Sequence, residues 1–216
     1  MRHKVTVVDY GVGNLLSVCR ALTHNGADVI TTEDPEKILE AERLVLPGVG
    51  AYADAMNGLR VRNLVGAIQQ YAQTGRPFLG ICLGMQMMLD NSEEFGSHEG
   101  LGLIPGSVIK ISATDIDEKP HKVPHIGWNT LKQPAGRDAT YWQDTLLRGL
   151  QTDASVYFVH SFTALPSVQE HRLADTYYGG RLISAVIHRD NLYGCQFHPE
   201  KSGPIGLKII ENFLCL

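Results

Sequence analysis

Residues 4–9, KVTVVD, place a β-branched apolar run directly before the turn Asp9-Tyr10-Gly11-Val12-Gly13-Asn14. The following LLSVCRALTHNG switches to apolar positions at helical spacing and closes on Gly26. The same strand, glycine turn and helix recur in RLVLPGVGAYADAM, which leads into LRVRNLVGAIQQYAQTG, and again in RPFLGICLGMQMML. Alternation of this kind predicts a parallel sheet with helices on its faces. After Gly100 the texture changes to short strands, GLGLIPGSVIKI, VPHIGWNTL, ASVYFVHSF, HRLADTYY, RLISAVIH and NLYGCQFH, separated by glycine, proline and charged turns. PIGLKIIENFLCL predicts a closing helix with proline near its start. The expected fold is α/β: an open, mixed but mainly parallel central sheet flanked by helices, with added antiparallel strands in the second half.

At 216 residues with 44% hydrophobic side chains, the chain is expected to form one domain over residues 1–216. It shows neither repeats nor a low-complexity linker. SATDIDEKPHK and KQPAGRDATYW are polar enough to predict exposed loops. The 19 basic and 23 acidic residues give a net charge of -4 with no run of like sign, which points away from nucleic acid and anionic membranes. The apolar run near the start is too short for a secretory signal, and no stretch reaches membrane-spanning length, so a cytoplasmic protein is expected.

Cys19, Cys82, Cys195 and Cys215 are scattered, with no C-x-x-C pair, which fits neither a disulfide framework nor a zinc knuckle. Cys82 differs from the rest because Gly80-Ile81-Cys82-Leu83-Gly84 repeats the G-x-S-x-G nucleophile elbow with sulfur in place of oxygen. A strand precedes it and a helix follows, so the thiol is lifted from the sheet edge to a helix N-terminus, where thiolate is favoured. Glycine on both sides costs backbone entropy that a plain core strand avoids. The other three cysteines are expected to be small buried hydrophobes, and Met85, Met87, Met88 and Leu89 to pack the core.

A thiolate nucleophile needs a histidine to move protons and a third group to orient it. Of nine histidines, His198 stands out, lying two residues from a carboxylate, Glu200, in an apparently extended segment, GCQFHPE. On a strand those two side chains share a face, and Pro199 suits a strand end. His121 and His125 have helical spacing, but Pro124 between them breaks the helix that would align them, so a metal site is set aside. Acyl attack also needs two N–H donors for the oxyanion. Leu83, next after the nucleophile, offers one, and the turn Pro47-Gly48-Val49-Gly50-Ala51 offers a second, assigned to Val49. The Gly11-Val12-Gly13 turn lacks a third glycine, so no nucleotide or other cofactor is expected.

With these motifs the chain resembles the class I, triad-type glutamine amidotransferases, through the cysteine elbow with Met85 and Gln86 and through Gln196-Phe197-His198-Pro199-Glu200-Lys201-Ser202. More narrowly, DYGVGNL at 9–15, LPGVGA at 46–51, PHIGWN at 124–129 and FVHSF at 158–162 are similar to the glutaminase subunits of imidazole glycerol phosphate synthase. The likeness runs from end to end. It implies a flavodoxin-like sheet and the hydrolysis of glutamine to glutamate and ammonia by Cys82, His198 and Glu200, without cofactor or metal. It further implies a heterodimer in which ammonia passes to a (β/α)₈ cyclase subunit in histidine biosynthesis, giving imidazole glycerol phosphate and AICAR. Gly50, Gln86, Ser161 and Phe162 match positions that hold glutamine. Asn14, Trp128 and Lys201 match positions near the subunit interface, although by residue type alone Trp128 is a core aromatic and Lys201 a solvated lysine.

Three alternatives stay open at this level. One is a glutaminase subunit serving another synthase, of anthranilate or aminodeoxychorismate. Another is a stand-alone cysteine peptidase or thioesterase on the same elbow. The third is a regulatory protein that keeps the fold without catalysis, against which the intact trio of Cys82, His198 and Glu200 weighs.

Overall fold

The computed structural model describes residues 3–11, 14–138 and 140–216. Its first half follows the alternation predicted above: β1 (Lys4–Val8), α1 (Leu15–His24), β2 (Asp28–Thr32), α2 (Pro35–Glu40), β3 (Leu44–Leu46), α3 (Tyr52–Val61), α4 (Leu64–Ala72), β4 (Phe78–Ile81) and α5 (Leu83–Met87). The second half is strand-rich: β5 (Asn91–Ser92), β6 (His98–Glu99), β7 (Gly106–Lys110), β8 (His125–Thr130), β9 (Ser155–His160), β10 (Phe162–Pro166), β11 (Arg172–Tyr178), β12 (Arg181–Arg189) and β13 (Leu192–Cys195), before α6 (Gly203–Leu214). Pro204 sits in the first turn of α6, where a missing N–H costs nothing.

The main sheet has the order β11-β12-β13-β4-β3-β1-β2. β2, β1, β3, β4 and β13 run parallel, and β12 and β11 close one edge antiparallel. Side chains alternate across this sheet, so Val8, Leu44, Leu46 and Phe78 enter one core with Tyr52, Met56 and Tyr71. Val5, Val7, Val45, Leu79 and Ile81 enter the other core with Leu22, Phe158, Phe197 and Phe213. Burial on both faces is why these strands read as unbroken apolar runs. Met85, Met87, Met88 and Leu89 are fully buried, as expected.

Beside the main sheet stand a four-stranded sheet, β10-β7-β5-β6, and a two-stranded antiparallel sheet, β8-β9. Among the described residues, no helix is long and apolar enough to cross a membrane.

The structure departs from the sequence expectations at particular places. Trp142, in a stretch expected to be exposed, is buried and its indole N–H donates to the Leu173 carbonyl at 2.8 Å. An aromatic ring among polar neighbours can anchor a loop from beneath. Of the cysteines expected to be buried, only Cys195 is; Cys19 is half-buried and Cys215 exposed, because Cys215 follows the last turn of α6.

Candidate active site

β4 lies between β13 and β3, with Cys195 opposite Ile81 and Leu46 opposite Gly80. Three neighbouring strands therefore release their chains side by side at their carboxyl ends, the usual place for a ligand on such a sheet. β4 delivers Cys82, β3 delivers the Pro47–Gly50 turn, and β13 delivers Gln196 to Glu200.

The elbow at Cys82 is built from close approach. A Cβ on Gly84 would lie 1.8 Å from the Leu46 carbonyl oxygen, and one on Gly80 would lie 2.6 Å from the Met88 sulfur. No other residue fits at Gly84 without moving β3. Cys82 itself carries the turn, at φ 53° and ψ -110°. Its N–H donates to the Cys195 carbonyl at 2.7 Å, which ties the nucleophile to β13.

His198 and Glu200 meet as expected, but by a different route. β13 ends at Cys195, and a short 3-10 turn, Pro199–Lys201, carries Glu200 back beneath the imidazole. Glu200 Oε1 stands 2.8 Å from His198 Nδ1, with both side chains almost completely buried. Ser202 Oγ donates to the His198 carbonyl at 2.7 Å, and the His198 N–H donates to the Tyr157 carbonyl at 3.0 Å. With Nδ1 held by the carboxylate, Nε2 is the working nitrogen. It makes no hydrogen bond of ordinary geometry, yet the Cys82 sulfur is close enough to act on it. Burial draws the His198 pKa down, and Cys82 and Glu200 together overcome this and raise it to about 9. The pair of neighbours thus holds a proton on imidazole at neutral pH.

A cleft of about 390 Å³ opens over these groups, lined by Val49, Gly50, Cys82, Leu83, Gln86, Ser161, Phe162, His198 and Lys201. Every expected catalytic, oxyanion and substrate position except Glu200 borders it, and Glu200 lies behind His198. The cleft also takes in Glu94 and His160, which sequence reasoning missed. Glu94 sits in the turn between β5 and β6, and its Oε2 accepts the Tyr52 N–H at 2.6 Å, capping α3 where Ala51 offers no side-chain acceptor. An acidic pair, Glu93-Glu94, is the only sequence signal, and it has no spacing to interpret. A larger hollow of about 600 Å³ at the opposite ends of β4 and β13, beside Gln69, Arg189 and Asn191, contains no nucleophile.

The donor expected of Leu83 is engaged: its N–H points to the Gly48 carbonyl at 3.3 Å. The Pro47 carbonyl is held in turn by the Tyr10 hydroxyl at 2.8 Å, a phenol whose pKa is raised by burial and by Cys82. Val49 follows immediately in this turn. Val12 and Gly13 lie outside the described residues.

Of the three residues placed near an interface, Lys201 borders the cleft. Trp128 is 58% exposed on β8, and Ile126, two residues earlier on the same face, is equally exposed. The structure therefore corrects the core reading of an isolated tryptophan. Asn14 precedes α1 and accepts the Ser17 hydroxyl at 3.0 Å. Among the described residues, no group of three or more His, Cys, Asp or Glu side chains is arranged to hold a metal ion.

Comparison with known proteins agrees with this geometry. The family described as glutamine amidotransferase class-I matches residues 6–216. The chain is 56% identical over 211 residues to imidazole glycerol phosphate synthase subunit HisH 1 of Legionella pneumophila, covering 97% of this chain and 98% of that protein. It is 45% identical to subunit HisH of Sulfurimonas denitrificans over 97% of this chain and 96% of the relative. Among solved structures, PurLQS from Thermotoga maritima superposes with a TM-score of 0.71 at 19% identity, covering 100% of this chain and 99% of the other. A putative GMP synthase subunit from Thermoplasma acidophilum gives 0.64 at 20% identity, over 100% and 94%. The chain belongs to the class-I glutamine amidotransferase family, on the branch that holds the HisH subunits.

Proposed function

We propose that this protein is the glutaminase subunit of an imidazole glycerol phosphate synthase, hydrolysing glutamine to glutamate and passing the ammonia to a cyclase subunit in a heterodimer. The observation that carries the chemistry is a sulfur on a sharp strand-to-helix elbow beside an imidazole whose other nitrogen is held by Glu200 at 2.8 Å. The identity of 56% over nearly the whole chain supports the choice of synthase.

In this mechanism the Cys82 thiolate attacks the side-chain amide carbon of glutamine, and the carbonyl oxygen takes the negative charge. His198 Nε2–H gives its proton to the departing nitrogen, the C–N bond breaks, and ammonia leaves a Cys82 thioester. Water then attacks the thioester while Nε2 takes its proton, the C–S bond breaks, and glutamate departs as the thiolate is restored. Glu200 keeps the imidazole in the productive orientation throughout and stabilises its charged form. Once the Leu83 N–H is released from the Gly48 carbonyl, it and the turn carrying Val49 bind the oxyanion. Gly50, Gln86, Ser161 and Phe162 hold the glutamine, and Glu94 faces its α-ammonium. Trp128, Ile126, Lys201 and Asn14 face the cyclase. The assignment puts the reaction in the cytoplasm.

The test is ammonia and glutamate release from glutamine, assayed with and without a (β/α)₈ cyclase partner. Stoichiometric glutamate, with faster turnover in the complex, is expected. Absence of glutamine hydrolysis in both conditions, with cleavage of a peptide or thioester instead, would reject the proposal.

A further inference from the structure

Behind the cleft a continuous chain of hydrogen bonds ends on the nucleophile's sulfur. The Phe162 carbonyl accepts from His160 Nδ1 at 2.8 Å and from Gln86 Nε2 at 3.0 Å. A carbonyl only accepts, so His160 carries its proton on Nδ1, and its Nε2 is left to accept from His125 Nδ1 at 3.0 Å. Burial pulls both imidazoles down, to about 3 for His160 and about 4 for His125, so both are neutral and the tautomers are determined. At the far end, Asn129 Nδ2 donates to the Tyr177 carbonyl at 2.9 Å and lies 3.4 Å from His125 Nε2.

At the near end, the second hydrogen of Gln86 Nε2 goes to Gln196 Oε1 at 3.0 Å. That contact decides which way the Gln196 amide faces. Turned over, it would set two NH₂ groups against each other. In the orientation allowed, Gln196 Nε2 lies 3.8 Å from Cys82 Sγ. Gln196 is completely buried, where an amide without partners is costly. Its nitrogen therefore spends a hydrogen on sulfur.

We propose that Gln196 is a further catalytic residue whose amide N–H donates to the Cys82 sulfur and stabilises the thiolate, with Gln86, the Phe162 carbonyl, His160 and His125 as positioning groups that fix the direction of that amide. The proposal rests on Cys82 being the nucleophile of the glutamine reaction. A donor aimed at the sulfur favours its charged form, alongside the imidazole of His198. The other titratable groups around the sulfur are His198 with Glu200, His160, Glu94 and Lys201 at the cleft, and Tyr10 against Cys82. A change confined to residue 196 leaves all of them in place.

The experiment follows the pH dependence of Cys82 alkylation by iodoacetamide, with the Cys82 peptide quantified by mass spectrometry so that Cys19 and Cys215 do not contribute. In Gln196→Met, which keeps an unbranched side chain and removes the donor, the alkylation midpoint is expected to rise by about one pH unit. The kcat/KM for glutamine at pH 7 should fall about tenfold with it. A midpoint equal to wild type overturns the proposal, whether or not activity falls, because loss of activity alone is what a packing residue would give. Should Gln196→Met fail to fold, Gln86→Met leaves the amide free to turn, and the midpoint is expected to rise by a smaller amount; no rise there overturns it equally. Failure of the glutaminase assignment itself reads differently: wild-type protein would then release no ammonia from glutamine, whatever the midpoint.

Discussion

The amide N–H of Leu83 donates to the carbonyl oxygen of Gly48 across 3.3 Å. The donor that directly follows the nucleophile is thus occupied by the neighbouring turn, and an oxyanion formed at Cys82 would have to displace it. Rotation of the Gly48–Val49 peptide would free that donor and turn a second N–H toward the cleft. One oxyanion donor is worth on the order of 10²–10³ in rate. The isolated chain is expected to turn over slowly, and a cyclase partner to raise kcat by that order with little change in KM. Steady-state kinetics on the two preparations checks this, and a partner effect confined to KM would show that the turn does not rearrange.

Glu200→Gln removes the charge opposite His198 Nδ1 while keeping the shape. The pKa of the imidazole should fall from about 9, and an amide, which can turn either its oxygen or its NH₂ toward Nδ1, no longer fixes one tautomer. Turnover is expected to drop by roughly 10²–10⁴ with KM nearly constant. Rate profiles between pH 6 and 10 would show the lost pKa, and a profile identical to wild type would count against Glu200 as the orienting group.

The histidine pair makes stability sensitive to acid. His125 and His160 titrate at about 4 and about 3 in the folded chain, below the ordinary value of 6.5, because burial disfavours their charged forms. The unfolded chain therefore binds more protons, and stability that is complete above pH 6.5 is lost as the pH falls toward 4. Buried Asp175, raised by desolvation to about 6, acts in the opposite sense over much of this range. The informative quantity is thus a difference. Between pH 4.5 and 6, His125→Gln is expected to reduce the slope of unfolding free energy by about 1.4 kcal/mol per pH unit relative to wild type. Urea melts at several pH values measure it; parallel curves would mean that His125 is charged in the fold.

Trp128→Ala should leave the triad intact, since the ring stands 58% exposed on β8 and outside the cleft lining. An aromatic anchor of this kind commonly contributes about 2 kcal/mol to an interface, equivalent to roughly thirtyfold in affinity. Turnover of the isolated subunit is expected to be unchanged while its titration by the cyclase shifts by that factor. Normal assembly of the variant would move the interface elsewhere on the surface.

What could be seen in the sequence was whatever local spacing encodes. The apolar runs of β1, β3 and β4 are long enough to declare themselves because both of their faces are buried. The paired glycines at 80 and 84 announce a crowded elbow, and the Cβ distances there bear this out. β2 was hidden because the edge strand DVITT is largely exposed, and α2 because six residues are too few to reveal a period. His198 and Glu200 are legible as a pair from their spacing, but it is a 3-10 turn, not strand alternation, that brings them together. The sequence assigns no role to Gln196, though it stands in the histidine motif, or to Glu94, because an amide or a capping carboxylate takes its meaning from distant partners. Gln196 meets Gln86 across 110 positions of chain, and Tyr52 meets Glu94 across 42.

The backbone of Cys82, at φ 53° and ψ -110°, has one more consequence. A side chain in such a conformation costs of order 1–3 kcal/mol, which glycine escapes while giving back roughly 0.5–1 kcal/mol in unfolded-state entropy. Cys82→Gly is expected to melt a few degrees higher than the wild-type protein and to hydrolyse no glutamine. The chain is thus less robust than it could be at the residue it most needs, and selection for durability alone would erase the nucleophile.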